Sequence, residues 1–323
     1  MVPCEFFWCS SRGGRSPHAA DRRSVGQTGR DVRLELELRD GRVVGVTDYG
    51  DPDGVPVYFF HGLPSCRLEA SFASEAARRA GVLLISVDRP GFGRSSFRPY
   101  RPLARFADDI AELADRRSLS RFAVIGVSAG GPFALATAAA LPRRVAAVAT
   151  VGGFFAPKSA SQVAGMNAEL RASLFIARAA PWMMRPLFAL TARAVKRSDT
   201  RFLKAVARRS PAPDRELLRV DAIRSHLLVA LREAFAHGAC GAAWEQRLLV
   251  QDWGFTPDSI DAPVTVWQGG LDRNVPADLG RSLASWIPRS RLEFFEGEGH
   301  LSLMHNRIDD VLRGVVRGFQ RHF

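Results

Sequence analysis

A serine between glycines is the residue in this sequence best suited to covalent chemistry. Ser128 lies in the segment Gly-Val-Ser-Ala-Gly-Gly at residues 126–131, after an apolar run at 122–125 and before a helix-forming run at 133–141. A strand, a tight turn and a helix in this order would hold the serine in a strained turn, where the helix N-terminus favours negative charge. A serine hydroxyl becomes a good nucleophile only when a base accepts its proton and an acid orients that base. The chain must therefore also supply a histidine and a carboxylate.

Four further segments accompany this serine in a recognisable order and spacing. They are His-Gly-Leu-Pro at residues 61–64, Asp-Arg-Pro-Gly-Phe-Gly-Arg-Ser at 88–95, Gly-Gly-Leu-Asp at 269–272 and Gly-His at 299–300. Together with the G-x-S-x-G pattern around Ser128, they make the chain resemble the capped, esterase-like bacterial members of the α/β-hydrolase superfamily over about residues 34–323. The resemblance implies the α/β-hydrolase fold, an α/β class with a mostly parallel eight-stranded sheet, helices on both faces and a helical cap inserted after strand 6.

The same resemblance indicates which acid and which base serve the serine. The order along the chain is serine, acid, histidine, and the acid follows a late strand. Asp272 follows the penultimate predicted strand and is the predicted acid; Asp278 is the alternative, at a position where a helix should begin. His300 lies in a glycine-containing loop after the last predicted strand and is the predicted base. His305 is the alternative, at the expected start of the last helix. Ser128, Asp272 and His300 thus form the predicted triad.

Two backbone N–H groups are predicted to bind the negative oxygen of the tetrahedral intermediate. One belongs to Ala129, the residue after the nucleophile. The other belongs to Leu63, because its loop follows the third strand of the fold and Pro64 has no N–H. The alternative is that residues 61–64 form a plain turn.

Hydrophobic periodicity places these residues at the ends of strands. Residues 32–38 alternate and predict a half-exposed strand, which returns through a turn at 40–41. Strands are further predicted at residues 43–47, 55–60, 82–87, 122–125, 145–151, 264–268 and 292–295, and helices at 69–80, 103–117, 133–141, 277–286 and 307–319. Residues 1–30 show no periodicity and are predicted to be a disordered N-terminal extension. The predicted α/β core comprises residues 31–153 and 251–323.

The intervening residues 154–250 contain helical stretches but no clear strand. We predict that they form a helical cap over the carboxyl edge of the sheet, where open α/β sheets bind ligands. Bulky apolar side chains concentrate in the first part of this insert, and four of them are predicted to contact substrate. They are Phe154, Phe155, Trp182 and Phe188. Packing between helices is the alternative role for each of them.

Positive charge concentrates in the same insert. The chain has a net charge of +12, and residues 154–250 contain 16 basic and 7 acidic residues, which is +9. No nucleic-acid-binding motif accompanies this charge, so we predict a solvated cationic surface and no nucleic-acid partner. Steering of anionic substrates and contact with a membrane surface are the alternatives. No run of about 18 apolar residues occurs, so stable membrane insertion is not expected.

The four cysteines form no recognisable framework. Cys4, Cys9, Cys66 and Cys240 match neither a zinc-ligand pattern nor a disulfide scaffold. The first residues lack the basic leader and the long apolar region of a signal peptide. Together these features favour a cytoplasmic protein without a metal or another cofactor. Formation of a homo-oligomer stays open.

Two classes of function fit these observations. The first is a serine hydrolase that cleaves a small, largely apolar ester or related carbonyl substrate through the triad and an acyl-enzyme. The second is a ligand-binding or regulatory protein of the same fold with little turnover; a cofactor-independent lyase or peroxidase is a further alternative. Haloalkane dehalogenases and epoxide hydrolases of this fold use an aspartate in place of Ser128. The epoxide hydrolases also need tyrosines in the cap, whereas Tyr49, Tyr58 and Tyr100 all lie outside it.

Overall fold

A nine-stranded, mostly parallel sheet forms the centre of the protein. A computed structural model describes residues 22–25, 31–100, 102–157, 159–197 and 199–321. Within them the strands are β1 (Arg22–Val25), β2 (Val32–Glu37), β3 (Val43–Gly50), β4 (Val55–Phe60), β5 (Val82–Val87), β6 (Phe122–Val127), β7 (Val145–Val151), β8 (Val264–Gly269) and β9 (Ser290–Phe295). Their order across the sheet is β1-β2-β3-β5-β4-β6-β7-β8-β9. Strands β4 to β9 are parallel, whereas β1, β2 and β3 run antiparallel to their neighbours.

The burial of each strand follows from its place in the sheet. Every residue of β6 and β7 is buried, as expected of parallel strands that are covered by helices on both faces. In β2, nearer the edge, half-buried and buried residues largely alternate. The chain connects β4 to β5 on one side and then crosses to β6 on the other, so the connections diverge between β4 and β6. Open α/β sheets bind ligands beyond the strand ends at such a point.

Helices cover both faces of this sheet. The α-helices of the described residues are α1 (Ser74–Arg79), α2 (Phe106–Arg116), α3 (Gly130–Ala140), α4 (Ala160–Ala164), α5 (Ala168–Ala179), α6 (Met184–Arg197), α7 (Asp199–Arg209), α8 (Ala212–Leu217), α9 (Asp221–Ala234), α10 (Cys240–Leu248), α11 (Ala277–Trp286) and α12 (His300–Arg321). Helices α2, α3 and α11 contribute Phe106, Phe133 and Leu279 to one apolar cluster. Helices α1 and α12 contribute Ala77 and Leu303 to a second cluster. The predicted fold class is confirmed, with nine strands in the sheet where the sequence predicted eight.

Helices α4 to α10 all lie between β7 and β8, in the segment that the sequence predicted to be a cap. The last of them is buried except for Arg247. It approaches the loop after β5 so closely that a Cβ on Gly241 would lie 2.5 Å from the Gly91 carbonyl oxygen. Helix α10 is therefore packed into the core, although it belongs to the predicted cap. Among the described residues, no helix is both long enough and apolar enough to cross a membrane.

Some secondary structure differs from the sequence-based expectations. Strand β1 lies within the predicted disordered extension and pairs with β2, so disorder does not hold for these four residues; residues 1–21 and 26–30 lie outside the described residues. The helix predicted at residues 69–80 is a 3-10 helix over Arg67–Ala73 that continues into α1. The last helix begins at His300, seven residues earlier than the sequence indicated.

The cysteines also differ from expectation. Cys240 is disulfide-bonded, whereas Cys66 is free and buried. No disulfide framework is recognisable in the sequence, so this bond was not anticipated. The cysteines no longer support a cytoplasmic location, because disulfides persist mainly in oxidising compartments.

Candidate active site

The sharp turn between β6 and α3 presents Ser128 at the carboxyl edge of the sheet. Its φ of 51° lies in the left-handed region, which residues with a side chain seldom adopt. The flanking glycines are required by close contacts. A Cβ on Gly126 would lie 2.4 Å from the Gly130 carbonyl oxygen, and one on Gly130 would lie 2.1 Å from that of Phe60. The Ser128 N–H donates to the Val151 carbonyl at 3.0 Å, so the end of β7 also holds the turn.

Asp272 and His300 form a hydrogen-bonded pair at the same edge. Asp272 follows β8, and its Oδ2 lies 2.6 Å from Nδ1 of His300. Its other oxygen accepts the N–H groups of Asn274 and Val275, both at 2.8 Å. Because both carboxylate oxygens are engaged, the carboxylate is fixed in orientation. The imidazole is then oriented through Nδ1, which leaves Nε2 available to exchange a proton.

The pKa of His300 reflects this partner. Burial alone would lower the pKa, but the charge and the hydrogen bond of Asp272 outweigh burial and raise it above the ordinary histidine value. Asp214 and Glu69 add smaller contributions in the same direction. The imidazolium that forms when His300 accepts a proton is therefore stabilised.

The predicted acid, base and nucleophile converge at the carboxyl end of β7. A Cβ on Gly152 would lie 3.1 Å from Oδ2 of Asp272 and 3.1 Å from Nδ1 of His300. The preceding residue, Val151, accepts the N–H of Ser128. The three residues of the predicted triad thus lie around the end of β7: Ser128 contacts Val151, and Asp272 and His300 lie beside Gly152.

The loop after β4 lies against the nucleophile. A Cβ on Gly62 would lie 3.7 Å from Cβ of Ser128. The Gly62 carbonyl accepts hydrogen bonds from Nη2 of Arg89 at 3.1 Å and from Nδ1 of His61 at 2.8 Å. The Gly62–Leu63 peptide is trans, so its N–H points opposite to its carbonyl. The Leu63 N–H is therefore directed away from Arg89.

Ala129 provides the second backbone donor predicted from the sequence. It precedes the first residue of α3, where helical N–H groups have no partner within the helix. Across the described part of the chain, the backbone hydrogen bonds of turns and loops include none donated by the N–H groups of Leu63 and Ala129. The role of these two N–H groups as an oxyanion hole stays a prediction.

Sequence reasoning gave no role to the buried ion pair behind this loop. Arg89 is fully buried, and Nε and Nη2 donate to the two carboxylate oxygens of Glu245 on α10, each at 2.6 Å. Its remaining donor, Nη1, reaches the His61 carbonyl. The guanidinium thus ties the loop after β4 to α10. The two charges are 156 residues apart, so no local pattern could have revealed the pair.

Glu69 is a second residue that sequence reasoning missed. It is buried, and its Oε2 accepts the Gly62 N–H at 2.7 Å. Burial raises the pKa of this carboxyl, and the Gly62 hydrogen bond opposes the rise. The sequence placed Glu69 only in a predicted helix. Its contact with the loop depends on how the 3-10 helix folds back on β4.

The four apolar residues predicted to contact substrate occupy different environments. Phe154 is buried, and its N–H donates to the Ser128 carbonyl at 2.8 Å. Phe155 packs edge-to-face against Trp253 and Trp286, which is a core-packing role. Phe188 is half-buried among the apolar side chains of the cap. Trp182 is 68% exposed, so the structure does not enclose it in a pocket as the prediction requires; it lies in a 3-10 helix at the cap surface.

Comparisons with known proteins identify the fold family of the chain. A family model described as the alpha/beta hydrolase fold matches residues 55–306. The chain is similar to the magnesium-chelatase 30 kDa subunit of Rhodobacter capsulatus, with 30% identity over 279 residues, 84% of this chain and 88% of that protein. It is also similar in structure to an esterase from Exiguobacterium antarcticum, with a TM-score of 0.62, 20% identity and coverage of 88% and 98% of the two chains. An enol-lactonase from Burkholderia xenovorans is similar too, with a TM-score of 0.62, 19% identity and coverage of 88% and 99%.

Proposed function

Because the chain belongs to the α/β-hydrolase fold family, we propose that it is a serine hydrolase that cleaves a small, largely apolar ester or related carbonyl substrate. The observation that carries the proposal is the His300–Asp272 pair, joined at 2.6 Å and placed at the strand end that also holds Ser128. A serine beside an oriented histidine is the arrangement needed for acyl transfer. The esterase and the lactonase among the similar structures support ester chemistry.

In the first half of the reaction, Ser128 Oγ attacks the carbonyl carbon while its proton passes to Nε2 of His300. The carbonyl oxygen gains the electron pair, and the N–H groups of Leu63 and Ala129 stabilise the negative charge. As the carbonyl re-forms, the bond to the leaving group breaks and His300 gives the proton to the departing alkoxide. Asp272 stays ionised throughout and stabilises the imidazolium.

In the second half, water attacks the acyl-enzyme. His300 accepts a proton from the water, and a second tetrahedral oxyanion forms in the same backbone site. The bond between Ser128 Oγ and the acyl carbon then breaks, and His300 returns the proton to Oγ. The products are a carboxylic acid and the regenerated serine.

The preference for apolar substrates rests on the surroundings of the nucleophile. Phe154 follows the end of β7 and is hydrogen-bonded to the Ser128 backbone. The cap contributes half-buried Phe188, which packs against the same apolar cluster as Leu63 of the loop after β4. Apolar and methionine side chains accommodate varied acyl shapes.

A panel of p-nitrophenyl esters of increasing acyl length tests this function. We expect turnover, and we expect kcat/KM to rise with acyl length until the site is full. Each buried methylene should lower the activation free energy by up to roughly 0.8 kcal/mol. Phe188→Ala should shift the optimum length, whereas Trp182→Ala, at an exposed position, should leave the profile unchanged. A flat profile that neither substitution alters would contradict the apolar preference. Absence of turnover from every ester and thioester would contradict hydrolysis and favour a ligand-binding protein.

A further inference from the structure

The helix that begins with His300 takes its N-terminal cap from a distant part of the chain. The first N–H groups of a helix have no intrahelical acceptor. In α12 the Asp214 side chain supplies one: Oδ2 accepts the His300 N–H at 2.9 Å, and Oδ1 accepts those of Leu301 at 3.1 Å and Ser302 at 2.9 Å. Asp214 is buried and lies on α8 of the cap, 86 residues before His300. A carboxylate is a favourable cap because it faces the positive end of the helix dipole.

The loop before His300 leaves room for this carboxylate. A Cβ on Gly299 would lie 2.4 Å from Oδ1 of Asp214 and 2.6 Å from its Cγ. The Gly299 N–H donates to Oγ of Ser302 at 2.8 Å. The Ser302 side chain therefore closes the turn. Position 299 thus requires glycine, because any side chain there would collide with the Asp214 carboxylate.

Carboxylates consequently hold His300 both at its imidazole ring and at its backbone. Asp272 binds the imidazole through Nδ1, and Asp214 binds the backbone N–H of the same residue. Three carboxylates face this histidine: Asp272 after β8, Asp214 on α8 and Glu69 on the 3-10 helix after β4. All three raise its pKa, with Asp272 contributing most.

We propose that Asp214 is a positioning residue by which the cap fixes the catalytic base, so that His300 is correctly placed only while α8 is docked on the core. The kinetic part of this proposal rests on the proposed function, whereas the effect on the histidine itself does not. Asp214 acts through the His300 backbone and through its own negative charge. It takes no part in bond making.

The first variant is Asp214→Asn, with Glu216→Gln as the matched control. Asparagine can keep an oxygen for Leu301 and Ser302, but it removes the charge and one acceptor. Glu216 lies on the same helix and is exposed, where it pairs with Arg219. We expect kcat of Asp214→Asn to fall roughly tenfold or more, because the base is misplaced. KM should stay within about threefold of wild type, because Asp214 does not contact the substrate. The control should match wild type.

A second measurement does not need turnover. In protein with isotope-labelled histidine, NMR titration reports the pKa of the His300 imidazole, identified by its loss in His300→Gln. Removing a nearby negative charge favours the neutral ring, so we expect this pKa to fall by roughly 0.5 to 1 in Asp214→Asn and to stay unchanged in Glu216→Gln. This fall in pKa reports the lost charge beside His300, whereas positioning is read from kcat: a merely structural cap would lower the melting temperature and leave kcat, measured well below that temperature, unchanged.

Gly299→Ala provides an independent test should Asp214→Asn not fold. The new methyl would displace the carboxylate, so this variant should also lower the His300 pKa. In an Asp214→Ala background the methyl has room, and Gly299→Ala should then add little. An unchanged His300 titration in the folded Asp214 and Gly299 variants would overturn the proposal. An altered titration without ester turnover in wild type would support the positioning and reject the hydrolase.

Discussion

The proposed nucleophile and the proposed base of this site are held in different ways. Ser128 is fixed by its own strand–turn–helix unit and by the end of the neighbouring strand β7. His300 depends on Asp272 after another strand and on Asp214 in the cap, 28 and 86 residues earlier in the chain. The serine side of the site is therefore built into the sheet, whereas the histidine side is assembled from separate parts. A loosened cap should disturb the base more than the nucleophile.

The largest expected effect separates the two candidate bases. His300→Ala should lower kcat by up to about 10⁶ in a well-tuned enzyme, because the serine loses its proton acceptor. His305→Ala should retain most activity, since His305 is a residue of α12 whose ring packs in a tilted arrangement against Phe72, at 4.4 Å between centroids. Burial lowers the pKa of His305 to about 4, which makes it a poor base at neutral pH. Equal losses of kcat in the two variants would contradict the assignment of His300 as the base.

A glycine substitution tests how firmly the serine side is built. Gly130→Ala would place a methyl 2.1 Å from the Phe60 carbonyl oxygen, so we expect unfolding free energy to fall by at least about 2 kcal/mol. Gly297→Ala is the matched control on the histidine side, because a Cβ there meets nothing within 4 Å. Urea denaturation of both variants gives the comparison. Equal stability of the two would show that the turn tolerates a side chain.

The pH dependence of turnover reports on the base. Nε2 of His300 must be unprotonated to accept the serine proton, so kcat/KM should fall as pH decreases through its pKa. Because Asp272 raises that pKa, the midpoint should lie above the ordinary value of 6.5. In Asp272→Asn the midpoint should move to lower pH and the plateau should fall about 10⁴-fold. A midpoint that stays fixed in this variant would mean that another group limits the rate.

The same contrast explains what the sequence could predict. Ser128, Asp272 and His300 each follow a predicted strand, and glycine patterns mark their loops. The start of α12 was placed too late because Gly299 and the preceding residues carry no N-cap signal of their own. The cap is Asp214, which only the folded chain brings to that position.

Apolar residues of the insert were harder to interpret for a related reason. A phenylalanine or tryptophan at helical spacing fits a ligand site and a helix interface equally well. Phe155 is used for packing against Trp253 and Trp286, and Trp182 is exposed. Which of these environments each residue enters depends on how the cap helices are arranged, and sequence spacing does not contain that information.

The identity of the nucleophile is the central claim, and covalent labelling tests it most directly. Wild type, Ser128→Ala and Ser118→Ala are treated with a fluorophosphonate, and the modified peptide is identified by mass spectrometry. Ser118 is the matched control, because it is exposed and shares the left-handed backbone with a φ of 53°. We predict one phosphonyl group on Ser128 in wild type and in Ser118→Ala, and none in Ser128→Ala. Labelling of another residue in wild type, or unchanged labelling of Ser128→Ala, would contradict the account.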